Sequence, residues 1–548
     1  MKKINLIALN SQFVHSSPAV ADLQTMYCEY SKKFNTPLPE LSVTELSIND
    51  SFDSFIYKIF NGADVFAFSV YIWNVSIVKK LCIFIKSAKP DSIIILGGPE
   101  VSYCDAPEWC DYVISGEGER AFYSLICELN HFSVPCEWNY TSENKIRKCK
   151  NAEDLSEFLL PYNDENIEEY RNKIIYYETS RGCPFSCSYC LSSVCGKVRE
   201  LNTEQVKSDL DFFIRHNVNQ VKFVDRTFNC NKKRAVEIWK YIIENATECD
   251  TNFHFEIGAD LLYDESIKIL SKAKSGQIQL EIGIQSTNEK TLDACCRHTD
   301  NKKLFDNIKK LIALGTINIH TDLIAGLPYE NLEIFKKSFN DTYALKSHQL
   351  QLGFLKLLKG APLNDIVDSH GMNFSNYPPY EIISTKYLSF DEVLLLKKIE
   401  DVVERFYNSC RFIRTLNLLE KYFSSPFEMF EKIAEDFEKN NLIFSPVSTK
   451  VLFNFMSDFS KKYADNFDKT ILLDFYSSEK SEVLPSKLRY LNTHCSKSGK
   501  FIKTGSQKTN KQAQVRIIEN TAYVIDYSSK DRVNGSFKIC EVIENADL

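Results

Sequence analysis

The 548-residue sequence has no excess of positive charge: 66 Lys and Arg face 73 Asp and Glu, giving a formal net charge of −7 and a pI of about 5.9. That excludes a small basic module held on nucleic acid by global charge. No apolar run approaches the roughly 18 uninterrupted residues of a membrane span, so no membrane-embedded segment is expected. The opening Met1-Lys2-Lys3 followed by Ile4 to Leu9 is too short for a secretory signal. It ends in Asn10-Ser11-Gln12 without a small-residue cleavage site, and it reads as a first strand. Long internal repeats and coiled-coil heptads are missing as well. Eighteen cysteines are too dilute in this length for a disulfide scaffold, which makes a reducing cytoplasm the expected location. What is present, 44% hydrophobic and 25% charged residues, is the composition of a folded chain long enough for several cores.

Two stretches alternate short apolar runs with amphipathic segments. The first holds Ile4–Leu9, Leu41–Leu46, Val65–Val70, Ile93–Leu96 and Tyr112–Ile114, the βαβ rhythm of an open parallel sheet. Several runs end in small or polar residues, where such sheets bind ligands. Residues 151–172 are acidic and polar around Pro161 and read as a linker between a domain at 1–150 and a second at 173–365. In the second, strands are expected at Ile174–Thr179, Val221–Asp225, Phe253–Ile257, Ile278–Ile284, Ile317–Ile324 and Leu350–Leu357, with helices such as Glu204–Arg215, Arg234–Glu244 and Glu330–Leu345. Six such βα units predict a partial, TIM-like (β/α)6 barrel with its chemistry at the carboxyl ends of the strands. The fold class is therefore α/β. Residues 366–548 read as mainly helical, for example Asp391–Tyr407 and Pro426–Lys439, with a late strand pair near Gln514–Ile518 and Ala522–Asp526.

Directly after the first barrel strand, Cys183, Cys187 and Cys190 stand in C-x3-C-x2-C spacing in a loop with Gly182, Pro184 and Ser186. Thiolates are soft ligands for iron–sulfur clusters or zinc, and a tight loop can aim three of them at one point. Three ligands leave one iron of a cubane cluster open, whereas a structural zinc site closes with four. A zinc knuckle completed elsewhere, by Cys195 for instance, and three merely buried thiols are the other readings.

With Tyr189 just before the last cysteine, this triplet resembles the radical S-adenosylmethionine (SAM) superfamily. The resemblance implies a [4Fe–4S] cluster on Cys183, Cys187 and Cys190 whose open iron binds SAM, which one-electron reduction cleaves to a 5′-deoxyadenosyl radical. It also implies SAM contacts. Asp225 and Arg226 end the second strand where the family contacts the SAM amino group, although the usual Gly-Gly-Glu is absent. Glu281 and Gln285 end the fourth strand at the ribose-contacting stretch, and Asp322, Gly326 and Leu327 end the fifth near adenine.

For the first domain, Gly116-x-Gly118 before a helix hints at a dinucleotide, but the third glycine is missing. Asn10, Ser11, His15, Ser16 and Ser17, then Gly97, Gly98, Pro99, Glu100 and Val101, then Gly116, Glu117 and Gly118, resemble the Rossmann-like cobalamin-binding domain of one large radical SAM branch. The resemblance covers residues 1 to about 365 and implies cobalamin as a further cofactor. Ser69, Tyr71 and Trp73 follow the third strand, and the two rings suit the face of a corrin or ordinary packing. No Asp-x-His-x-x-Gly supplies a histidine to cobalt, so cobalamin is expected without a histidine coordinated by that route.

The resemblance implies a methyltransferase acting on an unactivated carbon, with one SAM methylating cobalamin and a second giving the radical. A cobalamin-dependent rearrangement, cyclisation or redox step and a non-catalytic cobalamin or redox sensor are the alternatives. A small-molecule or RNA-nucleoside substrate and an electron donor such as flavodoxin or ferredoxin are expected, with no membrane partner. Lys497, Lys500, Lys503, Lys508, Lys511 and Arg516 form a basic tract that suits a solvated surface or RNA phosphates.

Overall fold

The computed structural model describes residues 2–491, 495–496, 513–518 and 521–544. They form two compact units, one of residues up to Leu261 with Cys295–His298 and Leu355–Ile383, the other of Leu262–Ala294, Thr299–Phe354 and Ser384 onward. No helix among the described residues is long and apolar enough to cross a membrane. The sixteen cysteines from Cys28 to Cys410 are free thiols.

The first unit opens with strands β1 (Ile4–Asn10), β2 (Leu41–Ser47), β3 (Val65–Ser69), β4 (Ile93–Gly97) and β5 (Tyr112–Ile114), all parallel, in the order β2-β1-β3-β4-β5. β1 is buried on both faces, which explains its unbroken apolar run. Ile4, Leu6 and Ala8 pack with helices Pro18–Lys33 and Gly118–Leu129, while Ile7 and Leu9 pack with Phe52–Phe60 and Val75–Ala88. This is a doubly wound Rossmann-like sheet. A hairpin absent from the sequence expectation, β6 (Thr141–Glu143) and β7 (Ile146–Lys148), extends it beyond β5.

The second alternation begins in the same unit with β8 (Ile175–Tyr177). A two-residue antiparallel ladder follows, β9 (Ser180–Arg181) against β10 (Arg199–Glu200). Next come β11 (Gln220–Phe223) and β12 (Asn252–Ile257), parallel to β8 in the order β8-β11-β12, with helices Thr203–Arg215 and Lys232–Asn245 between them. Residues 151–172 carry short 3₁₀ turns at Leu155–Glu157 and Ile167–Tyr170 that bury Leu155 and Ile167.

The second unit holds β13 (Ile278–Gln285), β14 (Asn318–Ala325) and β15 (Gln349–Phe354), parallel in that order, with helices Asn301–Leu314 and Leu332–Tyr343 between them. Each of β13 and β14 alternates fully with half-buried residues. Helices Phe390–Val403, Pro426–Lys439, Thr449–Ser460 and Phe467–Ser478 follow, packed through Phe406, Phe412, Phe437, Phe453, Phe455 and Phe475. The first of these helices ends in a π turn at Glu404–Asn408, and there the Asn408 amide takes the Leu350 N–H at 2.8 Å and donates to the Leu350 carbonyl at 3.1 Å. One side chain thus stands in for a strand partner of β15. The late strands Ala513–Ile518 and Thr521–Lys530 pair antiparallel, and Phe537–Glu544 adds a third. Lys497, Lys500, Lys503, Lys508 and Lys511 lie outside the described residues; Arg516 is buried over the Tyr476 ring.

Candidate functional site

The cysteine loop is built on a stem made by Asp225. This carboxylate is fully buried and accepts from the Thr179 N–H at 3.0 Å, the Thr179 hydroxyl at 2.7 Å and the Ser180 hydroxyl at 2.5 Å. Burial pushes its carboxyl up, while these bonds and the Arg234 guanidinium pull it down. The side chain assigned from sequence to the SAM amino group thus holds the segment that enters the loop. Arg226 beside it is exposed. Gly182 then takes φ +97°, and a Cβ there would stand 2.9 Å from the Lys197 carbonyl oxygen, so the loop's two ends approach too closely for any side chain. Arg181 anchors the same base. It bonds Glu119 at 2.5 Å and Glu178 at 2.7 Å, lies 3.4 Å from Glu117, and covers the Phe158 ring at 4.6 Å.

Main-chain bonds hold the tip of the loop. The Ser188 N–H donates to the Cys295 carbonyl at 2.9 Å, and the Leu363 N–H donates to the Ser188 carbonyl at 2.8 Å; Cys190 N–H closes a turn onto Cys187 at 3.0 Å. Cys187 is buried, while Cys183 and Cys190 are half-buried. Burial pushes the Cys183 thiol up, opposed by the Phe185 main chain and the Thr227 hydroxyl, with Cys190 and Cys187 adding to the rise. Arg297 donates to Cys187 Sγ at 3.8 Å and to the Tyr189 hydroxyl at 3.4 Å. Among the described residues no three His, Cys, Asp or Glu side chains are already drawn together as a metal site. The donor set nevertheless fits a cluster with an open iron: three thiols on one backbone-pinned turn with a cation beside them.

In the second unit, β13 ends on Gln285 with φ +70° after a bulge at Gly283/Gln285. Ser286 donates to Glu330 at 2.5 Å, and the Ser338 hydroxyl takes the Thr287 N–H at 3.0 Å. Glu330 is buried, its other oxygen is unpaired, and burial pushes its carboxyl up to about 8. It lies just past Gly326 (φ +93°) and the fully buried Leu327, so the strand ends carrying Gln285, Gly326 and Leu327 are tied together by a protonated carboxyl. Glu281 and Asp322 are half-buried on their strands.

The loops assigned to cobalamin lie at the carboxyl ends of β1, β3, β4 and β5 in the first unit. Trp73 is 44% exposed and stacks on Tyr71 at 4.4 Å with its indole N–H on the Leu9 carbonyl, which leaves an open aromatic plate. Ser69 is buried next to it, and Ser11 is half-buried at the end of β1. Gly98 is needed by the fold itself, since a Cβ there would meet the Val70 oxygen at 2.5 Å, and the neighbouring Gly97 carbonyl takes the Val70 N–H at 2.7 Å. Pro99 starts a helical turn and Val101 is buried under it. A Cβ on Gly116 (φ +84°) would lie 4.0 Å from Asn151 and Lys148, while one on Gly118 would meet Leu23 at 3.1 Å.

Several polar residues of this set have internal partners. Glu100 is buried, pairs with Lys359 at 2.7 Å and accepts from the Tyr380 hydroxyl at 2.6 Å. Glu117 pairs with Arg199 and Arg181. Asn10 donates to the His15 carbonyl at 3.0 Å and to Glu45 at 2.9 Å. His15 meets the Tyr176 hydroxyl at 2.5 Å, and burial, then the Lys222 charge, holds its imidazole below the usual value. Ser16 donates to the Ile174 carbonyl, and Ser17 is buried at the start of the first helix. The side chains of Glu100, Glu117, Asn10 and Ser16 thus join segments of the unit. The sequence singles out none of Arg181, Arg297 and Glu330, although Arg181 directly precedes Gly182 of the cysteine loop and Glu330 lies three residues past Leu327.

Comparison with known proteins agrees with this layout. A family model described as the radical SAM superfamily matches residues 177–342, a B12 binding domain model matches 40–126, and a protein of unknown function (DUF4080) model matches 368–532. The cobalamin-dependent radical SAM methyltransferase TokK of Streptomyces tokunonensis is 24% identical over 56% of this chain and 49% of its own. The 2-(S-pantetheinyl)-carbapenam-3-carboxylate methyltransferase of Streptantibioticus cattleyicolor is 24% identical over 55% of this chain and 48% of its own. The chain thus spans about half the length of these curated relatives. In fold it is similar to the cobalamin-dependent S-adenosylmethionine radical enzyme OxsB with aqua-cobalamin bound, at a TM-score of 0.59 and 15% identity over 89% of this chain and 83% of that one. It is also similar to the radical S-adenosylmethionine methyltransferase TsrM of Kitasatospora setae, at 0.54 and 14% over 69% of this chain and 80% of that one. With a thiol triplet after β8 and a doubly wound sheet before it, the chain carries a radical SAM domain at residues 177–342 and a B12 binding domain at residues 40–126, and the cofactors these two domains imply are a [4Fe–4S] cluster, SAM and cobalamin.

Proposed function

We propose that this chain is a methyltransferase that acts on an unactivated carbon of a small-molecule or RNA-nucleoside substrate, fed by a flavodoxin- or ferredoxin-type donor in a reducing cytoplasm. The observation that most supports it is the pairing of a backbone-pinned three-thiol loop with a B12-binding sheet in one chain. When bound, cluster and SAM supply a one-electron route to a deoxyadenosyl radical, and cobalamin supplies the methyl group. The protein's part is placement. Asp225 fixes the strand entering the loop, Gly182 closes its base, and the Ser188 main chain pins its tip. Glu330 holds the ends of β13 and β14, and the Tyr71–Trp73 plate offers a broad apolar face to a corrin.

The test is anaerobic purification followed by assay with methyl-labelled SAM and a reductant. About four irons with matching sulfide per chain and release of 5′-deoxyadenosine, both lost in Cys187→Ala, are expected, together with label on a product found by comparing metabolites and nucleosides of cells with and without the gene. Deoxyadenosine without any labelled product rejects methyl transfer in favour of a rearrangement or redox step. Bound zinc without sulfide rejects the radical reading altogether.

A further inference from the structure

Residues 295–298 approach the cysteine loop from outside the motif. Cys296 adopts φ +52°, a left-handed conformation that is uncommon for a non-glycine residue. On one side of that bend the Cys295 carbonyl takes the Ser188 N–H at 2.9 Å. On the other, one nitrogen of the Arg297 guanidinium reaches both Cys187 Sγ at 3.8 Å and the Tyr189 hydroxyl at 3.4 Å. The bend therefore grips the loop and delivers a cation to its most buried thiol.

A guanidinium keeps its charge at every pH a protein survives, so the cation is permanent. Reducing a cluster by one electron adds negative charge to its sulfurs. A fixed positive donor on one of those sulfurs favours the reduced form, and hydrogen bonds to ligand sulfur together with local charge are the levers by which proteins set cluster potentials. We infer that Arg297 is a positioning residue that raises the reduction potential of the cluster through Cys187, with Tyr189 orienting its guanidinium. The inference rests on the proposed cluster at Cys183, Cys187 and Cys190.

The experiment uses the full chain, reconstituted anaerobically, with iron and sulfide counted and the reduced cluster followed by electron paramagnetic resonance at a series of poised potentials, without SAM. At the potential where the native cluster is half reduced, Arg297→Gln should lower the reduced-to-oxidised ratio at least tenfold, equivalent to 59 mV for a one-electron couple. Arg297→Lys, which keeps charge and donor, should retain most of the native ratio, and Tyr189→Phe should move it in the same direction as Arg297→Gln by a smaller factor. A fully loaded Arg297→Gln with the native titration overturns the inference. So does equal loss of iron from the Gln and Lys variants with native circular dichroism, because Arg297 would then serve loading and not potential. Native protein that holds no iron or sulfide is a separate outcome and removes the cluster reading beneath both.

Discussion

Glu330→Gln is the substitution that tests the buried carboxyl at the ends of β13 and β14. Glu330 is 1% exposed, accepts from Ser286 at 2.5 Å and leaves its second oxygen unpaired, so burial pushes it from 4.5 up to about 8. Below pH 4.5 both folded and unfolded chains carry the proton and the group costs nothing. Between 4.5 and about 8 the unfolded chain loses its proton while the folded one keeps it, so stability falls as pH rises, by about 1.4 kcal/mol per pH unit. Above about 8 both forms are ionised and the loss levels off at about 5 kcal/mol. Glutamine copies the protonated shape and cannot ionise. Its amide N–H faces the unpaired side at a cost of about 1 kcal/mol, independent of pH. Hydrogen exchange of peptides spanning residues 284–290 and 330–340, corrected for intrinsic rates, reads the local opening constant. Between pH 5.5 and 7.5 that constant should rise about tenfold per pH unit more in native protein than in the variant. Parallel profiles would refute the reasoning.

Two further substitutions probe the stem of the cysteine loop. Asp225→Asn replaces one accepting oxygen with a donor facing the N–H and hydroxyl groups of Thr179 and Ser180, and should cost about 2–3 kcal/mol, seen as a lower urea midpoint of the cluster-free protein and reduced iron content after reconstitution. Gly182→Ala places a Cβ 2.9 Å from the Lys197 oxygen at φ +97°, and should cost at least about 1–2 kcal/mol with loss of most bound iron; an unchanged melting curve at full iron content would contradict the geometry.

The strands of both alternations were legible because burial dictates their patterns. β5 lies where its apolar run predicted, and β13 and β14 each extend one residue past theirs. The β6–β7 hairpin was not legible, since Thr141–Glu143 is exposed throughout and carries no apolar periodicity. The cysteine triplet was local and therefore visible. The strand-end carboxylates were visible but ambiguous: a Glu or Asp reserved for a ligand and one reserved for an internal partner look the same in one dimension. Lys359 pairs with Glu100, Arg199 with Glu117 and Thr179 with Asp225, and each partner comes from another segment. Arg297 had no signal at all, because it meets Cys187 across 110 positions.

The Asn408 amide on β15 gives the C-terminal third a meaning that its sequence does not state. An open strand margin is a template for stray pairing with other chains, and proteins cover such margins or blunt them. Here the cover is supplied from residues 366–548, with Asn408 satisfying both main-chain groups of Leu350 and Tyr407 donating to the Ser347 carbonyl just before the strand. A chain cut back to residues 1–365 would therefore bare a ready seam for self-association. Residues beyond β15 are part of what keeps the second unit a discrete body.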